Sequence, residues 1–210
     1  MKKSLIAALV VTLVLTWSYT ALTQRQAAGE ATRSENREVQ STETDDLAKR
    51  IIIQQQESRE NLRRLAEGQI KSFEIINTDP GQKQVFIRTI FSDGTTLDGR
   101  IDMETSAGKL YVMRAANITN QSLSDQQVAT LSNEDLALGN EIVKSQGEEQ
   151  DCQTQLLNGD YTKITIDSLS AGQNSTVINA TGTLKNGTTK PIKINMTLLN
   201  GFWYIKSLTD

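Results

Sequence analysis

The sequence predicts an α+β protein: an N-terminal transmembrane helix followed by two tandem repeats, each a helix packed on a four-stranded antiparallel meander sheet. Three observations predict it. Two lysines precede the uncharged run Ser4–Leu22, which is long enough at about 1.5 Å per residue to cross about 30 Å of hydrocarbon. Val85–Val112 matches Ile178–Ile205 without a gap at a constant offset of 93, pairing Gly94-Thr95-Thr96 with Gly187-Thr188-Thr189, Met103 with Met196, Gly108 with Gly201 and Tyr111 with Tyr204. In both halves the apolar period changes from 3.6 to 2 after a glycine, as it does where a helix gives way to strands.

Residues 1–3 are then a cytoplasmic tip and 4–22 a transmembrane signal anchor. Lys2 and Lys3 hold the N-terminus inside, and Trp17 and Tyr19 suit the aromatic belt at the outer end. This places the protein in the cell membrane as a single-pass chain with extracytoplasmic C-terminal domains. The alternative is secretion after signal-peptide cleavage, for which the small-x-small sites are poor. Residues 23–44, rich in Gln, Glu, Arg, Ser and Thr, bury too little apolar surface to fold alone and form a flexible tether.

The first repeat, 45–115, opens on a helix. Thr42-Glu43-Thr44-Asp45 fits a capping box, neither Gly nor Pro occurs through Ala66, and Leu47, Ile51, Leu62 and Leu65 fall on one stripe that stops at Gly68. Gln54 and Ser58 interrupt any coiled-coil seam, so the helix is expected to dock on a sheet. Phe73 and Ile75 begin the strands, and Asp79-Pro80-Gly81 turns the chain. Val85, Ile87, Thr89 and Phe91 share a face. Ser92-Asp93-Gly94-Thr95 predicts a two-residue type I′ hairpin turn, and Gly108 turns strand three, with Ile101 and Met103, into strand four.

Residues 116–131 make a linker, with a short helix start at Ser124-Asp125-Gln126-Gln127, and 132–210 repeat the grammar. Ser132-Asn133-Glu134-Asp135 is a second capping box. Gly139 and Gly147 are each expected to weaken the helix by about 1 kcal/mol and to break it. Gly159 closes the helical region, Asn186-Gly187 supplies the hairpin, and Asn200-Gly201 leads into Phe202-Trp203-Tyr204-Ile205, an aromatic core strand.

A helix wrapped by an antiparallel sheet and ending in Gly201–Lys206, with Gly159, Asn186-Gly187 and, in the first half, Gly68, Asp93-Gly94 and Gly108–Val112, resembles the NTF2-like and cystatin-like α+β superfolds. The resemblance covers most of residues 45–210. It implies a place like that of VirB8-like subunits, which carry such folds behind one membrane anchor in bacterial envelope machines. Ligand-binding domains and small enzymes share these folds, and no family site residue has a matching motif here.

The chain has no histidine, which removes the commonest general base near neutral pH and the commonest metal ligand. Acidic pairs at Asp45-Asp46 and Glu134-Asp135 sit at helix starts, where carboxylates favour the dipole. Glu148-Glu149-Asp151 is read as solvated, and Asp102 and Glu104 as exposed by strand alternation. No catalytic, cofactor-binding or metal-binding residue is assigned, no cofactor is expected, and the protein is expected not to be an enzyme. Arg59, Arg63 and Arg64, interleaved with Glu57, Glu60 and Glu67, form a solvated helix face. Cys152 is either buried as a small hydrophobe or exposed and able to pair between chains. Asn-x-Ser/Thr occurs at Asn117, Asn120, Asn174, Asn179, Asn186 and Asn195, a consequence of Asn- and Thr-rich composition.

A net charge of -3 argues against nucleic acid as partner. The sequence thus predicts a membrane-anchored, non-catalytic protein-interaction or scaffold subunit of a bacterial cell-envelope assembly, meeting other envelope proteins or itself through sheet faces or edges. The alternative is an extracytoplasmic binding module for a small ligand, lipid or peptide, which requires an apolar cavity left unfilled.

Overall fold

Eight antiparallel strands form one sheet in the order β4-β3-β2-β1-β5-β6-β7-β8. The structure, a computed structural model, describes residues 43–117 and 131–210. Helix α1 covers 43–57 and, after a turn at Ser58, α2 covers Arg59–Ala66. Strands β1 (Ile70–Asp79), β2 (Gln84–Phe91), β3 (Thr96–Ser106) and β4 (Lys109–Asn117) make the first meander. Helices α3 (Asn133–Glu148) and α4 (Asp151–Leu157) precede the second, β5 (Tyr161–Ala171), β6 (Ser175–Leu184), β7 (Thr189–Leu199) and β8 (Phe202–Thr209).

This corrects the expected pair of helix-on-sheet repeats. The first strands of the two meanders pair with each other, Ser72 opposite Thr165, Phe73 opposite Ile164 and Glu74 opposite Lys163, so neither β1 nor β5 is left as an unpaired edge. The helices also cross between halves: α2 packs on β8 and α3 on both β4 and β8. One core joins Leu62 and Ile87 to Leu156, Ile178 and Ile205, and Thr44–Asp210 is a single compact unit. The sequence offset of 93 therefore marks matched turns within one sheet, not two domains.

The membrane assignments are corrected as well. The predicted transmembrane signal anchor, 4–22, and the tether to residue 42 lie outside the described residues, as does the linker core, 118–130. Among the described residues no helix is long and apolar enough to cross a membrane, so the single-pass, extracytoplasmic placement is not carried further.

Local chemistry accounts for the element boundaries. Gly68 and Gly159, at φ of 72° and 70°, close α2 and α4 with paired bonds, Gly68 N to Leu65 O with Gln69 N to Arg64 O, and Gly159 N to Leu156 O with Asp160 N to Gln155 O. The hairpins at Gly94 and Gly187 differ from the expected type I′. Only the glycine has positive φ, and the bonds Gly94 N to Phe91 O and Phe91 N to Thr95 O make a three-residue loop with a glycine bulge. Type I′ turns occur instead at Ala107-Gly108 and Asn200-Gly201, where both residues have positive φ. Gly139 does not break α3: a Cβ there would lie 2.8 Å from Ala48 O, so glycine permits α1 and α3 to cross in contact.

Candidate functional site

The two outer strands of the sheet are joined through side chains. Gln146 of α3 is fully buried; its Oε1 accepts from Val112 N of β4 at 2.8 Å and its Nε2 donates to Ile205 O of β8 at 3.3 Å. The sheet is therefore curled until its edges lie within the span of one amide. Gln55 of α1 accepts from Ile205 N at 2.7 Å, Gln150 accepts from Leu110 N at 2.6 Å, and Ser58 and Asn61 serve the N–H and C=O of Ala115 at 3.1 and 2.8 Å. Edge-strand groups that a closed barrel satisfies by backbone pairing are here satisfied by side chains of the helices and of the turns that join them.

Within the curl lies an apolar cavity of about 90 Å³. Its roof is α2, which lowers Leu62 and Leu65 at helical spacing beside Asn61; its floor is β1 to β4, where alternation turns Ile75, Ile87, Thr89 and Ile101 inward. Ile164, Ile194, Ile205 and Leu208 form the far wall. No charged residue lines it. Its polar lining residues are Asn61 and Thr89, the latter 9% exposed. An eight-stranded interior is about wide enough to hold side chains or one small ligand. A cavity of about 150 Å³ accommodates benzene, so 90 Å³ corresponds to about four carbon atoms, far below the roughly 300 Å³ of a drug-sized pocket.

The residues weighed for chemistry are dispersed. Asp135 closes the α3 capping box with Ser132, while Glu134, Glu148, Glu149 and Asp151 are exposed. Asp45 accepts from Asn140, and Asp46 pairs with Arg50, which also holds Glu104 at 2.6 Å. Asp102 departs from the exposed reading: it is largely covered, between Arg100 at 2.8 Å and Arg114. Among the described residues no group of three or more His, Cys, Asp or Glu could hold a metal. Arg63 and Arg64 both bond Glu60, whose carboxyl they hold down at about 2, and Arg64 lies over the Phe91 ring at 5.2 Å; Arg59 is exposed. Cys152 is a free thiol, 3% exposed; burial first, and the Asp210 charge second, push its pKa up to about 12. Asn186 caps its hairpin, its Oδ1 accepting from Thr188 N and Oγ1 at 3.0 and 2.7 Å, as Asp93 does for Thr95. That Asn-x-Thr triplet is turn chemistry.

Sequence reasoning missed the glutamines and the cavity. The glutamines had a signal: Gln55 continues the stripe of Ala48, Ile51 and Ile52, and Gln146 that of Ile142 and Val143. A polar residue on an apolar stripe invites the question of its partner.

No family model matches the chain, and no curated protein matches it. Among solved structures the chain is similar to the crystal structure of the N-terminal domain of fibronectin-binding protein PavA from Streptococcus pneumoniae, at 8% identity and a TM-score of 0.29. The match covers 68% of this chain and 46% of that one, so the chain spans less than half of that structure's length. A likeness at this TM-score supports no conclusion about fold or function.

Proposed function

We propose that the chain is a non-catalytic binding protein whose curled sheet holds the apolar part of a small ligand. The observation that carries this reading is the charge-free cavity of about 90 Å³ beneath α2. Well-packed cores have few voids larger than a water molecule. The test uses protein labelled at its isoleucine methyls and equilibrated with xenon. Shifts confined to Ile70, Ile75, Ile87, Ile101, Ile164, Ile194 and Ile205 support a bindable cavity; unchanged spectra refute it.

The scaffold reading, in which sheet edges meet partner proteins, draws no support from the edges, since Leu110, Val112, Ala115 and Ile205 are already bonded by side chains of the helical layer and its turns. Partner contact through the outer faces of the sheet belongs to that second reading. Chemical cross-linking followed by mass spectrometry distinguishes the two, since stable co-purifying proteins support the scaffold and a solitary chain carrying a small molecule supports the binding protein.

A further inference from the structure

A helix end meets a hairpin at two corners of the sheet, and the same backbone bonds build both. At one, Gly68 closes α2 and Ser92 N donates to Gln69 O at 2.9 Å; at the other, Gly159 closes α4 and Lys185 N donates to Asp160 O at 2.8 Å. The side chains differ. Lys185 reaches over its corner, with its Nζ 3.5 Å from where a Cβ on Gly159 would stand. Ser92 instead donates its hydroxyl to Gly68 O at 3.2 Å, and a Cβ on Gly68 would meet only Leu169 within 4 Å. The first corner holds an open groove of about 380 Å³, walled by Arg64, Gln69, Phe91 and Asp93. Its two charges are each half engaged. Arg64 directs Nε to Glu60 at 2.8 Å and lies over the Phe91 ring, but neither Nη group has a partner among the described residues. Asp93 accepts both Thr95 bonds on Oδ1, and its Oδ2 accepts none. The Thr95 bonds first, and the Arg64 charge more weakly, hold the Asp93 carboxyl below its ordinary range, so it is ionised near neutral pH.

We infer that this groove binds a small zwitterion of the free amino acid class, its carboxylate on the Arg64 guanidinium and its ammonium on the Asp93 carboxylate. The site goes beyond the cavity reading and lies apart from the cavity, sharing only Phe91 with its lining. The charges select the ligand class. A simple anion gains Arg64 but meets Asp93, a simple cation gains Asp93 but meets Arg64, and only a molecule carrying both signs satisfies both walls. The free groups agree: Arg64 has donors to give, and Asp93 Oδ2 has lone pairs to accept an ammonium. Size agrees as well. At about 25 Å³ per non-hydrogen atom, by comparison with benzene in a cavity of about 150 Å³, the groove has room for about 15 such atoms, more than leucine contains.

The experiment titrates the full chain, labelled with nitrogen-15, with L-leucine, with 4-methylpentanoate, which lacks the ammonium, and with isopentylamine, which lacks the carboxylate. Leucine is expected to shift the amides of Gly68, Gln69, Ser92, Asp93 and Thr95 saturably and to bind more tightly than either relative. Three variants each take the residue that stands at the matching place of the second corner, where the same backbone bonds already hold it: Arg64→Gln after Gln155, Ser92→Lys after Lys185 and Asp93→Asn after Asn186. Arg64→Gln and Asp93→Asn should each weaken leucine about three- to tenfold, the loss of one charged contact at a solvated site. They should also rank the relatives oppositely, Asp93→Asn preferring 4-methylpentanoate and Arg64→Gln preferring isopentylamine, which a merely structural role would not produce. Ser92→Lys should abolish binding. Absence of a saturable leucine shift overturns the inference, as do relatives that bind as well as leucine, a leucine affinity that neither charge variant changes, or binding that survives Ser92→Lys. None of these outcomes bears on the xenon test of the cavity.

Discussion

Gln146→Leu and Gln153→Leu make the same change at two fully buried glutamines of neighbouring helices and are expected to have different consequences. Gln146 bonds Val112 N at 2.8 Å and Ile205 O at 3.3 Å. Leucine leaves the Val112 N–H buried without a partner, while Ile205 O keeps Gln55 at 3.4 Å. One orphaned donor costs about 1–3 kcal/mol, and the weaker loss at Ile205 adds a fraction, so Gln146→Leu should destabilise by about 2 kcal/mol. Gln153 has a buried Oε1 with no partner, and its Nε2 makes one long bond, 3.3 Å, to Gln146 O, which Gln150 already holds at 2.6 Å. Replacing it removes an existing penalty, so Gln153→Leu should be neutral or stabilising. With a urea slope of roughly 2 kcal/mol per molar, the Gln146→Leu midpoint falls by about 1 M and the Gln153→Leu midpoint stays or rises. Urea melts followed by circular dichroism measure this, and amide exchange at Val112 should accelerate in Gln146→Leu. Equal destabilisation of the two variants would show that these amides fill space and that edge bonding contributes little.

Three further outcomes are expected. The Cys152 thiol should resist iodoacetamide at pH 8 in the folded protein and react once urea unfolds it; since burial raises the folded-state pKa to about 12 above an unfolded value near 8.5, its contribution to stability is complete below about pH 8.5 and is lost as pH rises toward 12. Gly139→Ala should lower the melting temperature despite alanine's higher helix propensity, because overpacking against Ala48 O at 2.8 Å costs about 1–3 kcal/mol against a propensity gain of about 1. Asn186→Asp should keep the melting temperature, as Asp93 makes the same turn bonds, whereas Asn186→Ala should lose about 0.5–1 kcal/mol in urea melts.

Strand and turn positions could be read from the sequence because their causes are local. Gly68 and Gly159 end helices, and Thr89 alternates inward with Val85, Ile87 and Phe91 whatever the neighbouring strand. Assembly could not be read. The alternation of Phe73 and Ile75 is the same whether β1 is an edge or pairs with β5, and nothing in α2 says that its apolar stripe meets β8 as well as the strands that follow it. The hairpin type at Gly94 is not fixed by its sequence, because Asp-Gly serves both a two-residue turn and a three-residue loop with a glycine bulge. The cavity was illegible for another reason: a void is a difference between summed volumes and enclosed space, and only the first of these is written in the chain. Its polar lining residues, Asn61 and Thr89, look like any helix asparagine and any inward threonine.

A barrel that closes by backbone ladders can be closed by almost any sequence, because every residue brings the same N–H and C=O. Here closure passes through the amide of Gln146, supported by Gln55, Gln150, Ser58 and Asn61. Closure has thereby become a heritable trait of a few codons. A single substitution at Gln146 therefore acts on the seam between β4 and β8 and leaves the backbone pairing of the eight strands untouched.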